Sequence, residues 1–447
     1  MSKKLLLVVL AFLFLVVPVF SMIQVPAFAT TSWGSPINIT NNPLKDTQSV
    51  ITYDPVHSKS WHVAWVRQTN ASGASSEEIF YTNRTNFTKQ IQITHNSIQD
   101  WNPMIDMDAN GIVHIVWVKQ SSTLVSDIFY ANSTNWNKHI NISRQEKGTY
   151  NYLPTLTVEK DTGVPHIAWV ATIRTLPAQF PGDIWYRKSP WGPIQPVVQT
   201  SGDSTEPSII LDTQKNVHVV WAENGFATAG TYQIRYTNST IWPATDSGDY
   251  VNVSKIIYTA QVNFRRPDIA LDYLNRAHVA FFSDMSSSAA IWFAISPLSN
   301  NTWFSGPIVV SQNTTTNEYP SIKISRTANP IIIHQGLAQN TQEIYARDYN
   351  GSWTPVDISN NVYADYLEWS SIGALDIDAS DSLYATYYTY CVATVGGPGN
   401  WEVFIVTGSI SGAGIPGFEF GYLLVIALTS AIIWHTLKRR SAKTLCK

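Results

Sequence analysis

Five histidines set in apolar, strand-forming runs are the residues of this 447-residue chain whose spacing invites chemistry. His62 stands in SWHVAWVRQ, His114 in GIVHIVWVKQ, His166 in VPHIAWVAT, His218 in NVHVVWAEN and His278 in RAHVAFFSD, the first four each 52 residues apart. Imidazoles ligate metals and move protons, so a ring of them could hold an ion or act as a base. Distance argues against a shared metal. Equivalent positions on neighbouring four-stranded units would lie roughly 9 Å apart or more, given ~4.8 Å between strands, whereas zinc takes nitrogens at ~2.0–2.1 Å. A fixed spacing is instead the mark of a structural repeat. Each imidazole is therefore expected mid-strand, away from either rim, bonded to buried backbone or to an adjacent unit. His334, standing where the other repeats have Trp, fits the same assignment.

The run Asp106-Met107-Asp108-Ala109-Asn110-Gly111 begins like a calcium loop, and DIDASD (Asp376 to Asp381) is a second, weaker candidate. The first lacks its closing ligand: His114 fills the ninth position, and Trp117 the twelfth, where a bidentate Glu is needed. An Asp ahead of a hairpin turn is expected from turn chemistry alone. The sequence thus implies no metal site and no cofactor.

Each histidine belongs to a longer phrase: Pro, alternating apolar residues, an Asp with turn residues, the His-apolar-x-Trp run, a variable loop, a short aromatic strand, a turn, then Trp and a last strand. WNPMIDMDANGIVHIVWV with SDIFYANSTNWNKHINIS is one copy, and YLPTLTVEKDTGVPHIAWV with GDIWYRKSPWGPIQPVVQT is the next. Each copy supplies four short strands divided by Asn, Gly, Asp and Ser turns. Such a unit cannot bury both faces alone and must pack against its neighbours around an axis, which predicts an all-β, seven-bladed β-propeller of four-stranded blades. The seventh copy stops after its third strand, at VFIVTG, and SWGSPINIT (Ser32 to Thr40) matches the closing SWTPVDIS of the sixth. An N-terminal strand is therefore expected to complete the last blade and remove the open edges.

The pattern P-x-I-x-x-D-x-x-G-x-x-H-V-x-W resembles the BNR and sialidase-like propeller superfamily, over roughly residues 32 to 409. That resemblance implies a propeller, often with a carbohydrate ligand; the fold hosts enzymes, lectins and scaffolds alike. Sialidase chemistry would need three arginines from different blades, a Tyr-Glu nucleophile pair and an Asp acid. Here only the adjacent Arg265 and Arg266 are suitably placed, Tyr319 could pair with Glu318 or Glu206, and the Ser-x-Asp-x-Gly-x-Thr-Trp turn is absent as such.

If the strand starting near each Pro is innermost, the residues before the prolines gather at the mouth of the central channel. These are Trp101, Asn102, Tyr150, Tyr152, Glu206, Arg265, Arg266, Glu318, Tyr319, Glu368 and Trp369. The long loops ASGASSEE and RTLPAQFPGD should open on the same side. Aromatic plates among Arg, Glu and Asn suit sugar stacking or the grip of a peptide. Candidate N-glycosylation sites at Asn83, Asn86, Asn132, Asn238, Asn300 and Asn350 fall in turns between third and fourth strands, on the opposite face.

The ends point outside the cell. Lys3 and Lys4, an apolar run from Leu5 to Phe20 and Ala27-Phe28-Ala29 read as a signal peptide over residues 1–29. Residues 30–413 form the ectodomain, and residues 414–447 hold an apolar stretch, Phe420 to Leu437, followed by Lys438, Arg439, Arg440 and Lys443. This reads as a transmembrane anchor with a cytoplasmic basic tail. Pro416-Gly417-Phe418 ahead of that helix resembles the sorting signals of archaeal surface proteins, which are cut and joined to lipid. Two cysteines, Cys391 and Cys446, fall on opposite sides of the membrane in this topology, so no disulfide is expected. High aromatic content (17 Trp, 21 Tyr), 14% charged residues and a net charge of −3 suit a β architecture and give no argument for nucleic acid. The resulting expectation is a cell-surface propeller that binds a glycan or a surface protein at the channel mouth. A glycan-cleaving sialidase-like enzyme (glycoside hydrolase or lyase) and a structural envelope protein are the alternatives.

Overall fold

The computed structural model describes residues 30–411 apart from segments 70–75, 123–124, 145–148, 176–177, 180, 225–230, 255–261, 285–288, 298–303, 312–317, 339–340, 350–351, 360–364, 368–372 and 392–399. The signal segment, the anchor with its sorting signal, Glu368, Trp369, Asn300 and Asn350 lie outside the described residues. No described helix is long and apolar enough to cross a membrane.

The repeat phrases become antiparallel sheets. Four of them are separate four-stranded sheets; one comprises Asp46–Asp54, Ser60–Gln68, Glu77–Asn83 and Ile91–Gln92, and another Asp203–Leu211, Val217–Asn224, Tyr232–Asn238 and Val251–Asn252. The second and third copies share a nine-stranded sheet through a parallel bridge between Tyr150 and Ser126. The fold is thus all-β and propeller-like, with a 3-10 turn at Arg84–Asn86 accompanying the strands.

Alternation fixes the packing. Along the second strands, Trp65, Trp117, Trp169, Trp221 and Phe281 are fully buried, and the indole N–H of Trp117 donates to Asp100 at 2.9 Å while that of Trp169 donates to Asn151 at 3.0 Å. A buried indole must find an acceptor, and the start of the unit's first strand supplies it. Successive copies are stapled by aromatic residues from the turn before the fourth strand. Trp136 packs on Tyr81, Trp191 on Tyr130 and Trp242 on Tyr186, with ring centroids 5.3, 5.0 and 4.9 Å apart.

Innermost strands sit side by side, and carboxylates on them cap N–H groups of the next copy. Asp106 accepts from Val158 N–H at 2.7 Å, Asp268 from Ile322 at 2.8 Å, and Asp376 from Tyr53 at 2.8 Å, the last tying the end of the array to its start. The N-terminal segment pairs as expected from its sequence: Ile37 lies opposite Ile405, Asn38 opposite Phe404, and Gly34 N–H donates to Thr407 at 2.8 Å. Trp33 packs over Gly408, where an added Cβ would stand only 2.8 Å from the indole ring.

The histidines correct one expectation. They are buried structural groups, but each lies at the second or third residue of its strand, at the turn end, and not mid-strand. Their partners are side chains of the same copy. Nδ1 meets a third-strand tyrosine hydroxyl at 2.6–2.7 Å in the pairs His62–Tyr81, His114–Tyr130, His166–Tyr186 and His218–Tyr236. Nε2 faces the turn carboxylate, at 3.0 Å for Glu159 and His166 and at 3.3 Å for Asp212 and His218. The reason is reach: only from the strand start can an imidazole touch the carboxylate that folds the preceding turn. Burial pushes His62 down to about 4, so the ring is neutral. In the fifth copy Phe293 replaces the tyrosine, and His278 Nδ1 has no hydrogen-bond partner among the described residues. His334, in the Trp position, is fully buried and accepts from Arg347 Nε at 2.9 Å.

Candidate functional site at the channel mouth

Among the described residues, the innermost strands of the first six copies break register at one place. Bulges fall between Thr47 and Val50, Trp101 and Met104, Tyr152 and Thr155, Thr205 and Ser208, Arg265 and Asp268, and Glu318 and Ser321. Inside each bulge one non-glycine residue is left-handed: Gln48, Asn102, Leu153, Glu206, Arg266 and Tyr319, with φ of 49–55°. Each such conformation costs about 1–2 kcal/mol and persists only where surrounding structure enforces it. Bulges re-aim side chains, and here a bulge residue's side chain can reach the next copy. Gln48 Oε1 accepts from Asn102 N–H at 2.8 Å, and Glu206 Oε2 accepts from Arg266 N–H at 2.8 Å.

The residues singled out from the sequence divide into groups. Glu206, Arg265, Arg266 and Tyr319 come together. Buried Glu206 is held by Arg265 through Nε at 3.0 Å and Nη2 at 2.7 Å, and by Arg266 Nε at 3.0 Å. Burial alone would raise the Glu206 pKa, but the two guanidiniums outweigh it and keep the group ionised. Arg266 lies 5.0 Å from the Tyr319 ring centroid, and Glu318 is the half-buried neighbour of that ring on the same strand. Tyr150 and Tyr152 pack on each other at 5.5 Å, the former buried. Trp101 is half-buried against the core formed with the first and third copies, and Asn102 is buried beside Gln48. Of the glycosylation candidates, Asn83, Asn132 and Asn238 build turns with their side-chain oxygens, accepting from the backbone N–H of Thr85, Thr134 and Thr240, while Asn86 is exposed.

Three further groups, not singled out from the sequence, stand next to this cluster: Tyr232 under Arg265, Asp203 bonded to Tyr232, and Asp183 near Asp203. Two Gly-Asp pairs, Gly182-Asp183 and Gly202-Asp203, start strands in the third and fourth copies. A Cβ on Gly182 would come within 2.7 Å of Val170 and 3.0 Å of the Ser204 carbonyl, so only glycine allows this approach. Asp203 accepts from Gly182 N–H at 2.8 Å and from the Tyr232 hydroxyl at 2.6 Å, and Arg265 covers the Tyr232 ring at 4.3 Å. Burial, with the charges of Glu223 and Asp203, raises the half-buried Asp183 to about 6. Burial and the bond to Asp203 raise the Tyr232 phenol, so it stays a donor. Asp183 thus keeps its proton up to about pH 6, beside a carboxylate held by two donors, and two carboxyls whose environments differ in this way suit acid and base roles. Paired Gly-Asp steps at strand starts of successive repeats were the available signal.

The channel also holds a cavity of about 510 Å³ lined by Asp106, Asp268, Asp376, Ser208 and Lys323, toward the turn end. Its carboxylates are already engaged with the N–H groups of neighbouring strands, and Lys323 Nζ stands 3.7 Å from Asp376. The Asp106–Gly111 run is a turn: Asp108 Oδ1 accepts from Asn110 and Ile112 N–H, both at 2.9 Å.

No protein-family model matches the sequence, and no curated protein matches it. Solved structures do match the fold. A polysaccharide lyase of family PL25, an ulvan lyase bound to a GlcA(1-4)Rha3S chain, superposes with a TM-score of 0.51 at 12% identity, covering 85% of this chain and 95% of its own. A protein of unknown function from Dyadobacter fermentans gives 0.48 at 11% identity, covering 85% and 99%. A GH93 α-L-arabinofuranosidase of Fusarium graminearum gives 0.45 at 8%, covering 83% and 97%. At these identities the likeness is one of fold, and the chain is similar in architecture to propeller-like glycan-acting enzymes.

Proposed function

We propose that this protein is an exported, surface-anchored seven-bladed propeller that binds glycan at its channel mouth and cleaves it. The ends of the sequence support export and anchoring. Support for seven blades comes from the succession of innermost strands, each beside the next, with the seventh copy bonded to Tyr53 of the first. The glycan reading draws support from the likeness in fold to an ulvan lyase and, above all, from the Asp183–Asp203 pair beside Arg265.

In this reading Asp183 donates its proton to the glycosidic oxygen as the bond to the anomeric carbon breaks. A water attacks that carbon and passes its proton to Asp203, so the elements of water are added across the bond. Tyr232 and Gly182 N–H position Asp203, and Glu206 holds the two guanidiniums in place. The pure binding module expected from the sequence uses the same face and differs in leaving its ligand intact.

The test is release of reducing ends from a polysaccharide panel by the full-length chain. Asp183→Asn should lower the rate at least ~100-fold, the usual scale for losing a general acid. Binding without release from any glycan would leave the module reading; release indifferent to Asp183→Asn would remove the proposed acid.

A further inference from the structure

We infer that the channel mouth selects uncharged glycans and discriminates against anionic ones, an inference that rests on the glycan reading above. Two adjacent arginines at a sugar site suggest a receptor for a carboxylate or sulfate, but these two are already committed. Both oxygens of Glu206 are used: Oε1 takes Arg265 Nη2 and Arg266 Nε, and Oε2 takes Arg265 Nε and the backbone N–H of Arg266. Glu206 is buried in its own bulge and 2% exposed, so a ligand carboxylate cannot displace it. Each guanidinium also lies over a protein ring, Arg265 at 4.3 Å from the Tyr232 centroid and Arg266 at 5.0 Å from that of Tyr319. Arg265 turns its Nε and Nη2 edge, a fork that would bind an oxyanion bidentately, to Glu206.

The remaining charge at this place is negative. Asp203 and Glu223 stand beside Asp183, and Glu223 is fixed by Trp221 Nε1, Ser204 and Thr200, each at 2.6 Å. With one arginine neutralised by Glu206, the charge of the second is set against Asp203, which acts on Arg265, and against Glu223 and Asp183 beyond it. An anionic sugar entering here would meet like charge in a partly desolvated site, a repulsive element of the kind that sets specificity. Hydroxyl groups of a neutral sugar incur no such cost and can accept from Asp183 and donate to Asp203.

The test measures binding of matched oligosaccharide pools, neutral, uronate-bearing, sulfated and amino-sugar, to the full-length chain at low and high salt. Neutral pools should bind at least tenfold tighter than their uronate or sulfated counterparts, with affinity little changed by salt. Glu206→Gln should narrow that preference at least tenfold by freeing the guanidiniums. Should that variant fail to fold, the salt series on the wild-type chain decides: anionic binding that weakens steeply with salt overturns the inference. Tighter binding of anionic pools by the wild type overturns it directly, and so does an amino-sugar pool bound at least tenfold more weakly than its neutral counterpart, since surplus carboxylates cannot repel a cation. Neutral preference without cleavage upholds it and removes only the catalytic reading, whereas failure to bind any pool removes both.

Discussion

At the turn end of the channel the first four repeats are nearly interchangeable, whereas at the mouth each repeat contributes a different group. The turn end repeats one arrangement: a neutral imidazole bonded to a tyrosine hydroxyl, with an aromatic ring from the next copy tilted or edge-on against the tyrosine. The mouth keeps one backbone device, the bulge with its left-handed residue, and fills it with Gln48, Asn102, Leu153, Glu206, Arg266 and Tyr319 in turn. Repetition at one end serves stability, since every copy must solve the same burial problem. Variation on a shared backbone at the other end is what a ligand site requires, because a ligand does not share the symmetry of the repeat.

The sharpest way to break this comparison is to damage the repeated end. Trp117→Ala removes a fully buried indole and takes away one of the donors to Asp100. It should cost about 3–5 kcal/mol, read as a lowered denaturant midpoint; a loss under about 1 kcal/mol would mean that the core at this position carries little of the fold.

A pH series separates the copies further. In the sixth, burial and the nearby Asp365 and Asp357 charges raise Glu343 to about 8. A raised folded pKa means that the stability it contributes is full below about pH 4.5 and is lost as pH rises through 8. Glu343→Gln should therefore overtake the wild type in stability above pH 8, and parallel pH curves for the two would contradict the assignment. The neutral histidines work in the opposite direction: with His62 at about 4 against an ordinary 6.5, stability falls as pH drops from 6.5 toward 4.

The smallest effect is the most specific. Phe293→Tyr should place a hydroxyl on the orphaned His278 Nδ1, since Phe293 occupies the register position of Tyr130 and lies under Trp353 as Tyr130 lies under Trp191. A gain of about 0.5–1.5 kcal/mol in thermal unfolding is expected. A loss would show that the fifth copy packs too tightly to take the shared arrangement.

Much of this fold was legible in the sequence because its signals are local or periodic. The strand phrases, the buried Trp positions and the N-terminal strand that matches SWTPVDIS all follow from alternation and spacing. Partners set by register were not legible. Nothing in HVAWV says that His62 Nδ1 meets Tyr81, because the pairing runs across two strands and depends on the turn between them. The mouth was half legible. Glu206, Arg265, Arg266 and Tyr319 were found from their place before the prolines. Asp183, Asp203 and Tyr232 were missed because they stand in separate repeats, and the one shared signal, the Gly-Asp step at a strand start, does not say which strands register sets side by side. The arginine pair was read as open to a ligand, and only coordinates reveal Glu206 closing it.

One paired measurement tests the division between the two ends most directly. Thermal midpoint and release of reducing ends are followed together in Asp183→Asn and in His114→Asn, which loses its bond to Tyr130. Asp183→Asn is expected to abolish release with its midpoint nearly unchanged, while His114→Asn lowers the midpoint by about 1–2 °C, the shift that ~1 kcal/mol makes in a unit spanning Thr31–Ile410, and retains the wild-type rate. Loss of release in His114→Asn at temperatures where it is folded, with Asp183→Asn fully active, would contradict it.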